Sequence, residues 1–243
     1  MSRKSRKNKN QKQKILVLLL ALIGFGGYLF LTLETDEPIV VDVSSDVDVG
    51  GGELAVDVLA RIPVKGRAPR TGYSRSEFSS GWAQVDGCDM RNRILRRDMW
   101  EVELADDSCT VLRGVLSDPY TGEVINFVRG PETSRAVQID HVVSLSNAWQ
   151  TGAQQLTREQ RREFANDPLN LLAVDGPANQ QKSDSDAASW LPANKVFRCE
   201  FVARQVAVKY RHFLWVTEPE HAAISRVLAG CPGERVIEKN LRP

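Results

Sequence analysis

The sequence predicts a mixed α+β domain carried behind one N-terminal transmembrane helix. Three observations lead there: a nineteen-residue run without charge near the N-terminus, short apolar runs that alternate with capped helical segments, and a central order of strand, strand and helix. A chain of 243 residues with 42% hydrophobic content can build one sizeable core or two small ones.

Residues 1–14 hold seven Lys or Arg and no acid, and Ile15 to Leu33 follow without a charge. As a helix that run is about 30 Å long, the hydrocarbon thickness of a bilayer. A cleaved signal would have a shorter apolar region and a small-x-small site, whereas this run ends in Leu31-Thr32-Leu33-Glu34-Thr35-Asp36. The expectation is a single-pass anchor in the cell membrane, with residues 1–14 cytoplasmic and the chain beyond Glu34 extracellular. Secretion after signal cleavage is the alternative. Residues 34–60 carry eight acids, no Lys or Arg and Gly50-Gly51-Gly52, the composition of a flexible acidic stalk. The folded domain is expected over 61–231, with 232–243 as a tail.

From residue 61 onward, 25 Lys or Arg stand against 23 acids. That near-neutral balance argues against a protein that grips duplex nucleic acid mainly by neutralising many phosphates. Cys88, Cys109, Cys199 and Cys231 all lie on the expected exported side, and an even count there reads as two disulfides. Three pairings are possible; Cys88–Cys109 with Cys199–Cys231 is preferred because each closes a local segment. A zinc site is disfavoured, since no C-x2-C pair occurs.

Cys88 to Asp98 reads as a helix. Cys109 to Leu116 and Glu123 to Val128 read as a hairpin through the turn sequence Asp118-Pro119-Tyr120-Thr121-Gly122. Ala136 to Val143 is a buried strand interrupted by the polar pair Asp140-His141. Thr157-Arg158-Glu159-Gln160 is a capping box opening a helix that Asp167-Pro168 must end. Asn170 to Asp175 is a second apolar strand, and a short helix can start after Pro177. Lys195 to Phe213 places Phe197, Phe201, Arg204 and Val208 at helical spacing for a core helix, and Thr217 to Glu220 opens a last helix that Gly230 closes.

An isolated histidine is more often structural than catalytic. Here the order of strand with His141, strand, then helix with Asn179 can turn three polar side chains to one point. Such a set suits phosphodiester hydrolysis, in which a hard divalent cation takes oxygen donors from Asp140 and Asn179 and a neutral imidazole takes a proton from water. Neighbours on an extended segment point apart, so Asp140 can bind metal while His141 stays a base.

The segments IDHVVSLSNAWQTGA, FANDPLNLLAVDGPANQQKSD and WLPANKVFRCEFVARQVAVKY resemble the HNH nucleases with a ββα-metal core, in the branch that shares the C-terminal domain of GmrSD-type restriction endonucleases. The resemblance covers Lys65 to Cys231, and KGRAPRTGYSR and GCDMRNRILRRD look like exported, membrane-anchored actinobacterial members. It implies an α+β fold, a ββα-metal (HNH) core with additional helices and a β-hairpin, and a metal-dependent endonuclease acting on nucleic acid, DNA before RNA. Residue by residue, it implies His141 as general base, Asp140 as metal ligand, Asn170 as a brace for the loop presenting the base, and Asn179 at the last motif position, where many members have His. An oxygen donor there favours Mg²⁺ or Mn²⁺ over Zn²⁺.

Lys182 either holds a phosphate or stabilises the transition state, as a catalytic residue, or is a solvated helix-surface lysine. Gln138 and Ser144 flank the pair and could orient it, while Asp184 and Asp186 could add outer metal contacts. Arg91, Arg96 and Arg97 are candidates for a nucleic-acid groove, with a solvated face as the other reading. His212 and His221 read as structural and without partners, and Trp149, Trp190 and Trp215 as packing. The alternative from a different class is a catalytically inactive cell-surface binding or structural module on the same fold, against which stand the intact Asp140, His141, Asn170 and Asn179. No H-E-x-x-H is present for a metallopeptidase, and no protein partner is evident.

Overall fold

The computed structural model describes residues 52–131 and 133–236. The tail 1–14, the expected span 15–33 and most of the expected stalk lie outside the described residues. Among the described residues no helix is long and apolar enough to cross a membrane.

The described chain opens with α1 (Ala55–Arg61), followed by a short ladder of β1 (Gln84–Val85) and β2 (Cys88–Asp89). Next come α2 (Met90–Asp98), β3 (Trp100–Leu104), β4 (Val111–Ser117), β5 (Val124–Val128), β6 (Val137–His141), α3 (Leu145–Gln150) and α4 (Arg158–Asn166). β7 (Leu171–Asp175), α5 (Gly176–Lys182), α6 (Arg198–Arg211) and α7 (Glu218–Leu228) complete it. The expected hairpin is β4–β5, and β3 extends it to a three-stranded antiparallel sheet with a bulge at Glu101. α2 starts at Met90 rather than Cys88 because Cys88 pairs with Val85 and the Asp89 carboxylate accepts from the Asn92 amide at 2.9 Å as N-cap. Both capping boxes form: Thr157 with Gln160 at α4, and Thr217 with Glu220 at α7.

Two apolar cores meet at the antiparallel pair β6–β7, whose register sets Ile139 opposite Ala173, Asp140 opposite Leu172 and His141 opposite Leu171. Val137, Ile139, Leu171 and Ala173 pack against α2 and the three-stranded sheet. Leu172 and Val174 face the larger core, with Tyr120, Phe164, Phe201 and side chains of α1, α6 and α7. Because successive side chains of a strand alternate in direction, a ladder between two cores reads as a nearly continuous apolar run. Its polar end, Asp140-His141, is therefore held between two packed bodies.

The folded domain extends past the expected limits 61–231 at both ends. α1 begins inside the stretch expected to be stalk and runs one residue past it, and it buries Ala55, Val58 and Leu59. The Ala55 amide donates to the Glu234 carbonyl and the Val236 amide to the Glu53 carbonyl, each at 2.9 Å. The acidic composition of 34–60 hides an apolar set at helical spacing, Ala55, Val58 and Leu59, which Ile62 continues just beyond it.

Disulfides join Cys88 to Cys109 and Cys199 to Cys231, 21 and 32 residues apart in sequence. The first ties β2 to the approach to β4, and the second ties the start of α6 to the segment after α7. In the loop-entropy model each contributes about 3–4 kcal/mol.

Candidate active site

The site grows from the ends of β6 and β7 and the helix α5 that follows. Asp175 caps α5, accepting from the Ala178 amide at 2.7 Å, and Pro177 fits the first turn, where its missing N–H costs nothing. Gly176 lets the helix start directly against β6: its amide donates to the Ala136 carbonyl at 2.9 Å, and a methyl group there would collide with the Arg135 carbonyl. That close approach brings Asn179 to Gln138, whose Oε1 accepts from Asn179 Nδ2 at 2.9 Å. The side-chain oxygen Oδ1 of Asn179 is left without a hydrogen bond among the described residues, while its backbone carbonyl accepts from the Ser183 amide at 2.9 Å.

Asp140 is buried, and its carboxylate is shared by two donors. Tyr120 OH donates to Oδ2 at 2.5 Å, and Lys182 Nζ sits 3.0 Å from Oδ1 and 2.9 Å from Oδ2. Burial raises the Asp140 pKa against the opposing pull of Lys182. Lys182 is fully buried and also donates to the His141 carbonyl at 2.9 Å. Neither sequence expectation for Lys182 holds, because the residue ends α5 on the side packed against the ladder, so its ammonium meets Asp140 instead of solvent or a phosphate.

His141 points away from Asp140. Its Nε2 lies 2.8 Å from the Ala165 carbonyl, which can only accept, so Nε2 carries the proton and Nδ1 keeps its lone pair. The ring stacks on Trp82 at 5.9 Å between centroids and 11° between planes. Burial pushes the imidazole pKa down to about 4. The ring is therefore neutral at physiological pH, with Nδ1 able to accept.

Asn170 closes the segment after His141 onto β7. Its Oδ1 accepts from the Val143 amide at 2.8 Å, its Nδ2 donates to the Val143 carbonyl at 3.3 Å, and its own carbonyl accepts from the Val142 amide at 2.8 Å. The side chain is fully buried. Asn170→Ala strips both side-chain bonds from Val143 and should cost about 1–3 kcal/mol. We expect a lower Tm in thermal unfolding by circular dichroism, together with increased hydrogen exchange at Val143; an unchanged Tm would show that Asn170 does not brace this segment.

Asp140, His141 and Asn179 border one opening of about 400 Å³, together with Ser144, Asp184 and Arg70. His141 also borders a second opening of about 390 Å³ with Trp82 and Arg75. Arg91 and Arg97 do not line either one. Arg91 donates to the carbonyls of Val137 and Ser134 at 3.2 and 3.4 Å, and Arg97 to those of Pro168 and Leu171 at 2.7 Å each. Both guanidiniums are spent on joining α2 to the ladder, while Arg96 is exposed and borders neither opening.

The cations that do reach the openings are Arg70 and Arg75, from a basic segment whose only sequence signal was KGRAPRTGYSR. Ser144 caps α3, accepting from the Asn147 amide at 3.1 Å. Asp184 faces Arg70 at 3.4 Å, whereas Asp186 is buried against Arg67 and does not border the opening. His212 does have a partner: its Nε2 lies 2.8 Å from Asp167 Oδ2. Tyr120 and Trp82 also carried no signal for the site, since one sits in a turn sequence and the other in an unpatterned stretch.

The donors at the first opening suit a hard divalent cation, with a carboxylate from Asp140 and a free amide oxygen from Asn179. Elsewhere among the described residues, Cys199, Cys231 and Glu234 cluster closely enough to ligate a metal, but the two sulfurs are bonded to each other.

Among protein families, the model described as GmrSD restriction endonucleases, C-terminal domain, matches residues 89–227. An uncharacterized secreted protein of Arthroderma benhamiae is 35% identical over 192 residues, covering 78% of this chain and 90% of that protein. No solved structure matches the chain.

Proposed function

Because the chain belongs to the family of the GmrSD restriction endonuclease C-terminal domain, we propose that it is an HNH-type endonuclease that hydrolyses phosphodiester bonds of nucleic acid, DNA before RNA, with a divalent cation. The observation that carries the reading is that three residues border one opening: His141, a neutral imidazole with a free Nδ1, Asp140, a buried carboxylate, and Asn179, whose side-chain oxygen is unpartnered among the described residues. The strand–strand–helix unit β6–β7–α5 supports an HNH core.

Asp140 and Asn179 would hold the cation, Mg²⁺ by preference, which supplies electrostatic stabilisation to the phosphate and the departing oxygen. Lys182 already neutralises the Asp140 carboxylate, so the protein alone offers little net charge, and cation affinity should be weak until a phosphate is present. His141 accepts the proton of the attacking water at Nδ1, while the Ala165 carbonyl holds the tautomer and Trp82 fixes the ring plane. Asn170 keeps the following turn in place.

Two disulfides, together with a relative named as secreted, support action outside the cell. A secreted protein is favoured over one held in the membrane. The test incubates full-length protein with plasmid, single-stranded DNA and RNA, with Mg²⁺ or Mn²⁺ or with EDTA. Cleavage of plasmid or oligonucleotide with Mg²⁺ and none with EDTA is expected. Failure to cut any of the three under all conditions would overturn the reading in favour of an inactive binding module.

A further inference from the structure

The second opening shares Arg75, His141 and Leu145 with the first but has a different chemistry. The first is bordered by two carboxylates, Asp140 and Asp184, whereas the second has none. Its polar lining residues are Arg75, His141, Ser76, Ser79 and Ser80, with Gly81 beside them; its apolar lining is Trp82, Leu145 and Ala165.

We propose that this second opening is a subsite for a phosphate adjacent to the scissile one on the same strand, with Arg75 as its principal ligand. The proposal rests on the phosphodiesterase reading of the first opening. Arg70 is engaged by Asp184, but Arg75 is exposed and makes no ion pair among the described residues. A guanidinium with five donors and no partner, set beside hydroxyls and away from carboxylates, matches the planar, multi-donor recognition of a phosphate.

Two of the three hydroxyls are engaged locally, and the Ser76 hydroxyl pairs with that of Ser74 at 2.7 Å. Ser79 Oγ bonds within its own turn, to the Gly81 carbonyl and from the Gly81 amide, while the Ser80 hydroxyl has no intramolecular partner among the described residues. Trp82, stacked on His141, gives the apolar wall that a sugar requires between two phosphates. A strand whose scissile phosphate lies at Asp140 and Asn179 passes His141 and meets Arg75, which borders both openings.

The test compares the dinucleotide TpT, which has only the diester, with the same dinucleotide bearing a 5′- or a 3′-terminal phosphate, using full-length protein and Mg²⁺. For one of the two phosphorylated forms, kcat/KM should exceed that of TpT by about tenfold or more, the effect of one charge-assisted contact. In Arg75→Ala that ratio should fall to about one, Arg75→Lys should keep part of it, and Ser80→Asp, which adds a carboxylate to the opening, should reduce it as well. A wild-type ratio near one for both forms, or an undiminished ratio in Arg75→Ala, would overturn the subsite.

Binding of thymidine 3′,5′-bisphosphate, measured by calorimetry, separates this result from the hydrolysis reading, since it contains no diester to cut. Affinity about tenfold weaker in Arg75→Ala supports the subsite even if no substrate is cleaved; equal affinity in the two proteins refutes it even if DNA is cut.

Discussion

His141→Ala is expected to lower the rate of DNA cleavage by about 10²–10⁴-fold, the usual contribution of a positioned general base. Nδ1 is the one imidazole position free to accept, since Nε2 is committed to the Ala165 carbonyl. The substitution leaves Asp140, Lys182 and Asn179 in place, so stabilisation of the protein by excess Mn²⁺ together with a bound phosphate in thermal unfolding should persist. In Asn179→Ala that cation-induced shift should shrink, and extra Mn²⁺ should recover part of the activity. If His141→Ala cut DNA as fast as the wild type, His141 would not be the base and the proposed chemistry would fail.

The second large effect concerns stability. Lys182→Ala leaves the Asp140 carboxylate buried with Tyr120 as its remaining side-chain donor, and an uncompensated buried charge costs about 3–5 kcal/mol. For a domain of this size that corresponds to a fall in Tm of roughly 6–20 °C. Lys182→Met combined with Asp140→Leu removes both charges and should regain much of the loss, because a buried ion pair adds little over well-packed apolar groups. The double variant should still be inactive. Thermal denaturation of the three proteins decides it: a single variant as stable as the wild type would mean that Lys182 is not the counter-charge on which Asp140 depends.

What the sequence made legible was local. The capping boxes at Thr157 and Thr217, the turn through Asp118 to Gly122 and the apolar runs around Ile139 and Leu172 each declare themselves within a few residues. The order of those elements was enough to predict that Asp140, His141 and Asn179 approach one another. The period-2 pattern Trp100, Val102, Leu104, which adds a third strand to the expected hairpin, is equally local.

The rest depends on tertiary partners. Lys182 has the sequence setting of an exposed helix lysine, and only the packing of α5 on β6 and β7 turns it inward. Arg91 and Arg97 look like a cationic face until the carbonyls they bond, 46 and 74 residues away, are known. Arg75, Trp82 and Tyr120 reach the site from segments with no periodic signal, and α1 is concealed by the acids around it.

The turn at Asp118 to Gly122 has a practical consequence for anyone engineering this protein. Hairpin tips ordinarily accept inserted loops, epitope tags or circular-permutation breaks. This one is bolted down: Asp118 Oδ1 accepts from the Asp175 amide at 2.8 Å, Tyr120 OH reaches Asp140, and Asn194 binds the carbonyls of Tyr120 and Pro119 at 2.9 and 3.1 Å. Grafting there would pull on the cap of α5 and on the carboxylate of the site together. The exposed tip between β3 and β4, at Asp106 to Ser108, bonds within its own turn, through Asp107 to Cys109 and Thr110, and has no such wiring to the site, so it is the better place to splice provided Cys109 keeps its bond to Cys88.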